Sequence, residues 1–285
     1  MVQEIRVCLA TCLSALSLTA CQNTSSVAPS PTKINTDILD TTLSKLVTEG
    51  SVVGVSALIY SDNQEIYYGD FGDADREADK SWQRDTLATI YSMTKPVAGV
   101  TLMSLYEEGL FEMDAPLSDY LPEYGGVKVF SGVRDDGSLM LETPRRPIKV
   151  IDIFRHTACF GYGWGDDTVS ALMNEAQIMD PSKPLSQFSE ELAELPLYCH
   201  PGEAWKYSVA VDVQARLAEV ITGKPFDQLV QERVLGPLKM TDTSYFVPSE
   251  KKSRVAAIYA KGPDGSLTRV PDGFVTLTEP TAIWL

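Results

Sequence analysis

The sharpest candidate for covalent chemistry is the run Ser92-Met93-Thr94-Lys95. Residues three apart share one face of a helix, so the Lys95 amine can approach the Ser92 hydroxyl. A serine alkoxide is out of reach near neutral pH without a base. A desolvated lysine among polar groups can lose enough proton affinity to act as one. A helix N-terminus adds partial positive charge that favours a developing oxyanion. The bare pattern is not specific, because Ser30-Pro31-Thr32-Lys33 and Ser249-Glu250-Lys251-Lys252 share it. Only Ser92 follows an apolar approach (Ala88, Ile90, Tyr91) and opens an apolar helix. Spacing alone leaves Ser92 open between a nucleophile and a plain N-cap serine. No G-x-S-x-G elbow occurs, and neither His156 nor His200 sits where the catalytic histidine of such an elbow would. Two histidines argue against a His-rich hydrolytic zinc site, and none of the five cysteines forms a CxxC pair. No metal and no cofactor is expected.

The elements that must position these residues can be read from periodicity. Asn35 or Thr36 can cap a helix with apolar positions Leu39, Leu43, Leu46 and Val47, ending at Gly50. The β-branched run Val52 to Tyr60, a turn at residues 61–64, and Glu65 to Tyr68 predict an antiparallel hairpin. Pro96 to Glu108 predicts a helix stopped by Gly109, with Val97, Leu102, Leu105 and Tyr106 available for burial. Gly125 to Pro147 is rich in Gly, Pro and charge and is expected to be a surface loop. Helical patterns return at Ile151–Phe154, Val169–Ala176, Leu185–Leu195, Val209–Thr222 and Phe226–Leu235. The layout is α+β rather than alternating βαβ: an antiparallel sheet with flanking helices, interrupted by a mostly helical lobe.

Several ordered motifs then coincide. The run Thr86 to Gly99 resembles the nucleophile region of the serine β-lactamase-like superfamily. Pro201-Gly202-Glu203-Ala204-Trp205-Lys206-Tyr207-Ser208 resembles its Pro-Gly…Tyr-Ser element. The helix ending in Ile221-Thr222-Gly223, and Pro237-Leu238-Lys239-Met240 in place of Pro-Leu-Gly-Met, continue the likeness from Leu39 to about Phe246. His156-Thr157 keeps half of a His-Thr-Ser-Gly turn, with Ala158 and Cys159 in the last two places. The resemblance implies the β-lactamase/transpeptidase-like fold, acylation of Ser92 and assistance by Lys95. It also makes Tyr207 a second base, in keeping with the fact that a nearby ammonium favours phenolate. Tyr207 taken alone would read as a buried aromatic bonded to backbone.

Two departures refine the expectation. Class C β-lactamases and related peptidases carry Tyr-x-Asn, whose amide contacts substrate. Here the triplet is Tyr207-Ser208-Val209, and no Tyr-x-Asn occurs. With Asp212-Val213 following, it looks like the family VIII carboxylesterases, which favour simple esters. The second departure concerns the family's third motif, Lys, His or Trp followed by x-Gly, on a strand that supplies one oxyanion N–H. No such triplet follows Tyr207, so the sheet is expected to be incomplete and the sequence to be truncated at its C-terminal end, Leu285. One lost oxyanion donor costs about 3–4 kcal/mol of transition-state stabilisation, and an opened sheet exposes an edge. This form is therefore expected to be poorly stable and to have little or no activity, while a full-length relative would be an esterase. A short-chain esterase acting through acyl-Ser92 is the leading reading. A β-lactamase or D-alanyl-D-alanine carboxypeptidase is the enzymatic alternative, and a catalytically silent cell-envelope binding protein the alternative of another class.

Composition bounds the rest. A protein of 285 residues, 44% hydrophobic, can bury a sizeable core. A net charge of −15 argues against nucleic acid as a partner; a small-molecule ester or β-lactam-like substrate is expected instead. Val7 to Ala20 is a short apolar segment ending in Leu18-Thr19-Ala20-Cys21, which resembles a lipoprotein lipobox with Cys21 as the acylated residue. An ordinary cleaved secretory signal is the alternative. The expected organisation is a signal peptide over 1–21, a Ser/Thr/Pro-rich tether over 22–34, and the first part of the sheet lobe over 35–88. The helical lobe carrying the motifs follows over 89–240, and an incomplete return to the sheet lobe over 241–285. The implied place is the periplasmic side of a bacterial envelope, held to the membrane by a lipid anchor. In such an oxidising compartment Cys159 and Cys199 could bridge, or stand as independent buried thiols.

Overall fold

The computed structural model describes residues 34–271. The expected signal peptide, Cys21 and nearly all of the tether lie outside the described residues, as do residues 272–285.

The N-terminal layer forms as its local chemistry dictates. Asn35 caps α1 (Thr36–Thr48), accepting from the Ile38 N–H at 3.3 Å, and Gly50 takes φ 69° just past its end. Strands β1 (Gly54–Ser61) and β2 (Gln64–Asp75) pair antiparallel. Their two-residue connection, Asp62-Asn63, has φ of 49° and 60°, the left-handed pair that tight hairpins require. β3 (Lys80–Ser81) adds a short third strand beside β2. Helix α1 packs on this sheet, and the Tyr67 hydroxyl donates to Asp40 at 2.7 Å across the contact.

The helical lobe is built around α6 (Ala210–Thr222), which buries Ala210, Val211, Asp212, Val213, Gln214, Ala215, Leu217 and Ala218. Apolar positions on nearly all sides make it a spine, touched by α2 (Thr94–Glu107), α3 (Val150–Arg155), α5 (Leu185–Glu194) and α7 (Phe226–Val230). The lobe also holds α4 (Thr168–Glu175). Helix α2 turns Ala98, Thr101, Leu102 and Leu105 into the core. Tyr106, expected inside, is 38% exposed because it falls at the rim of that stripe.

The expected surface loop over 125–147 contains a hairpin, β4 (Val129–Val133) and β5 (Leu139–Glu142). Its polar, glycine-containing strands conceal the period-2 signal, and its register is set by anchoring. Phe130 N–H donates to Leu197 O, and Leu197 N–H to Lys128 O. A last hairpin, β6 (Tyr259–Lys261) and β7 (Leu267–Arg269), joins the first sheet through Ala257 N–H to Ala74 O and an Arg269–Asp75 ion pair.

Candidate active site

Ser92 lies in a 3-10 turn, Tyr91–Met93, that runs directly into α2. Tyr91 takes φ 45°, a left-handed conformation that is costly for a bulky residue and sets Ser92 at a sharp corner. The Lys95 ammonium, one turn on, donates to Ser92 Oγ at 3.3 Å. The helix places this pair by itself; everything else at the site comes from far along the sequence.

Tyr207 arrives on the loop before α6, and its hydroxyl lies 2.7 Å from Ser92 Oγ. Lys95 Nζ stands 5.0 Å from the centre of the Tyr207 ring and 5.8 Å from that of Tyr162. Burial alone would raise the Tyr207 phenol. Its hydrogen bonds with Lys95 and Ser92, with the charge of Lys95, outweigh it and hold the phenol below its ordinary value. Tyr162 behaves oppositely: burial and then the nearby Asp212 carboxylate raise it, so it stays protonated beside Tyr207. The three residues expected to act together therefore converge.

The tyrosine loop is held by a second loop, residues 156–161, through a ladder of backbone hydrogen bonds. Tyr198 N–H donates to Cys159 O, Gly202 N–H to Thr157 O, Lys206 N–H to His156 O, and Val209 N–H to Gly161 O, at 2.8–3.2 Å. A Cys159–Cys199 disulfide, with Cα atoms 5.3 Å apart, fastens the same two loops. The sequence leaves that pairing open; the structure makes it. Cys159 stands where the resembling turn has glycine, and its φ of 67° explains the preference for glycine there. Gly202 suits its place for two reasons: φ is 88°, which strains any side chain, and an added Cβ would fall 2.0 Å from Arg146 Nη2 and push that side chain aside. Arg146 in turn makes a two-pronged ion pair with the buried Asp152, at 2.6 and 2.9 Å. Asp152 also accepts from Thr157 Oγ1 and Lys149 N–H, anchoring α3 beneath the loop.

Comparison with known proteins bears on this arrangement. The Beta-lactamase family model matches residues 39–277. The protein belongs to this family. An uncharacterised protein of Mycobacterium tuberculosis is 32% identical over 230 residues, which is 79% of this sequence and 56% of that protein's own length. Esterase EstB of Burkholderia gladioli is 30% identical over 246 residues, which is 82% of this sequence and 59% of that one. The solved structure of EstCE1, a hydrolase with promiscuous acyltransferase activity, superposes with a TM-score of 0.68 at 27% identity, covering 86% of this protein and 64% of that one. The 285 residues thus span a little over half the length of the curated relatives they match. The family's β-lactamase/transpeptidase-like architecture, mixed helix and antiparallel sheet, is the one described above.

Three features of the site are not legible in the sequence. His156 lies against Tyr207, with ring centres 4.8 Å apart, although its motif is only half preserved. Trp164, 73% exposed, stacks on Tyr162 at 4.1 Å and 7°. Trp205, 67% exposed, lies 6.1 Å from the Tyr207 ring. The two large indoles form an exposed apolar surface around the Tyr162–Tyr207 pair. The spacing in Gly163-Trp164 and Ala204-Trp205 carries no periodic signal by which they could be found.

Proposed function

We propose that this protein is a carboxylesterase for short-chain esters, working through an acyl-Ser92 intermediate. The convergence of Lys95 Nζ and the Tyr207 hydroxyl on Ser92 Oγ carries the reading. In the proposed cycle Ser92 gives its proton to the basic Tyr207–Lys95 pair as Oγ attacks the ester carbonyl. The start of α2 lends its positive dipole end to the oxyanion. The pair returns the proton to the departing alkoxide, leaving acyl-Ser92, and the same groups activate water to release the acid.

The preference for esters rests on Val209. It occupies the place of the substrate-binding asparagine in Tyr-x-Asn enzymes, yet it is fully buried and offers no amide to a β-lactam side chain. Trp164 and Trp205 supply apolar walls instead. The deciding experiment compares p-nitrophenyl butyrate with nitrocefin on the wild-type protein and on Ser92→Ala, and reads fluorophosphonate labelling alongside. The expected result is labelling of Ser92 and a preference for the ester. Nitrocefin turnover exceeding ester turnover would favour the β-lactamase reading, and an unlabelled Ser92 the silent binding protein. We further propose a lipid-anchored envelope location through Cys21, supported by the sequence Leu18-Thr19-Ala20-Cys21 and the Ser/Thr/Pro-rich stretch that follows.

A further inference from the structure

We propose that His156 is a positioning residue for Tyr207, holding the backbone N–H groups of the residues on either side of it, Lys206 and Ser208, through its carbonyl oxygen and a neutral imidazole protonated on Nε2. The carbonyl accepts the Lys206 N–H at 2.8 Å. The ring Nδ1 accepts the Ser208 N–H at 3.2 Å and faces Ser208 Oγ at 3.3 Å. A backbone N–H can only donate, so Nδ1 must keep its lone pair and the ring proton resides on Nε2. His156 ends α3 in the left-handed conformation, φ 55° and ψ 37°, which reverses the backbone and aims carbonyl and ring at the same loop. Two anchors astride one residue restrict its backbone, and the imidazole lies against the Tyr207 ring besides. These contacts add to the loop's other backbone hydrogen bonds and its disulfide in setting the phenol 2.7 Å from Ser92, on a segment lacking helix or strand.

The device depends on pH. The groups facing the imidazole are the Lys95 ammonium from α2, and Trp205, Tyr207 and Ser208 from the tyrosine loop. Half-burial, and then the like charge of Lys95, disfavour the imidazolium and lower His156 below the ordinary histidine value. Once protonated, Nδ1 becomes a donor pointed at the Ser208 N–H, and the clamp opens. The sign follows: the contribution is complete above about 6.5, the unfolded value, and is lost as pH falls through the lower folded value.

This role rests on the acyl-serine reading, so the test has one arm that needs no reaction. In ¹⁵N-histidine spectra near pH 8, well above the ordinary histidine value, His156 (assigned by its loss in His156→Asn) is expected as the Nε2–H tautomer. The Ser208 amide is expected to exchange at least about tenfold faster in His156→Ala, as local opening becomes easier. An Nδ1–H tautomer, or unchanged Ser208 exchange, would overturn the proposal even if Ser92 proved inert. In the second arm, Ser92 labelling by fluorophosphonate is followed against pH. His156→Ala is expected to slow it by at least about tenfold. His156→Asn, whose amide oxygen replaces Nδ1 and which tolerates the left-handed backbone, is expected to stay within about threefold of wild type near pH 8. Toward acid, the wild-type rate should fall with one more proton than that of His156→Asn. Equal rates for wild type and His156→Ala, or an Asn variant as impaired as the Ala one, would refute the clamp. A wild-type protein that does not label would refute the hydrolase and leave the spectroscopic arm to decide on His156.

Discussion

Replacing Tyr207 by Phe tests the site with the least structural disturbance. The phenyl ring keeps its contacts with His156 at 4.8 Å and Tyr162 at 5.4 Å, and the Lys95 ammonium 5.0 Å away. Only the oxygen 2.7 Å from Ser92 Oγ is lost. One positioned acid–base group is worth about 10²–10⁴-fold in rate. Lys95 stays 3.3 Å from Ser92 as a residual partner, so the loss should fall in the lower half of that range, about 100- to 1000-fold or 3–4 kcal/mol. The phenol's partners are the exposed Ser92 hydroxyl, which can turn to water, together with Lys95 and the buried Tyr162 hydroxyl, so stability should change by less than about 2 kcal/mol. The assay is the second-order rate of fluorophosphonate labelling against pH, with urea denaturation as the control. Because the phenol is held below the usual tyrosine value of about 10, the wild-type rate should climb with pH and level off below that point. Tyr207→Phe should lose that limb. A folded Tyr207→Phe protein labelling within about threefold of wild type, or 0.7 kcal/mol, would refute a catalytic role for the phenol.

Other consequences are equally open to measurement. Cys199→Ser should cost up to about 4 kcal/mol by the chain entropy of a loop spanning 40 residues, and should slow Ser92 labelling because the 156–161 loop is then freed; a urea midpoint indifferent to dithiothreitol would contradict this. Asp152→Asn should cost about 2 kcal/mol near neutral pH, less than a fully buried pair because the Arg146 side chain is 34% exposed. Burial acts to raise Asp152, but Arg146, the Lys149 N–H and Thr157 hold it below its ordinary value. Its contribution is therefore present above about 3.9 and lost as pH falls through the lower folded value, so wild type and variant should converge in acid. Convergence absent between about pH 7 and the acid transition would refute the assignment. Cys21→Ala should move the protein out of the membrane fraction; a variant retained as firmly as wild type would dismiss the lipid anchor.

What the sequence determined by itself is what short-range geometry controls. Helical spacing brings Lys95 to Ser92 in any helix, so that pair is legible without the fold. The Asn35 cap, the Asp62-Asn63 turn and the glycine stops at Gly50, Gly109 and Gly223 are likewise decided within a few residues by backbone sterics. Tyr207 is legible only through its flanking motif, since 115 residues separate it from Ser92 and no local rule spans that distance. The tertiary structure decided the rest: the Cys159–Cys199 bridge, the β4–β5 hairpin fastened to Leu197, and the inward turn of Val209. It alone revealed His156 astride the tyrosine. Each of these depends on which backbone donor meets which acceptor after the α6 spine is buried. Composition cannot specify that pairing, because every residue but proline carries the same N–H and C=O.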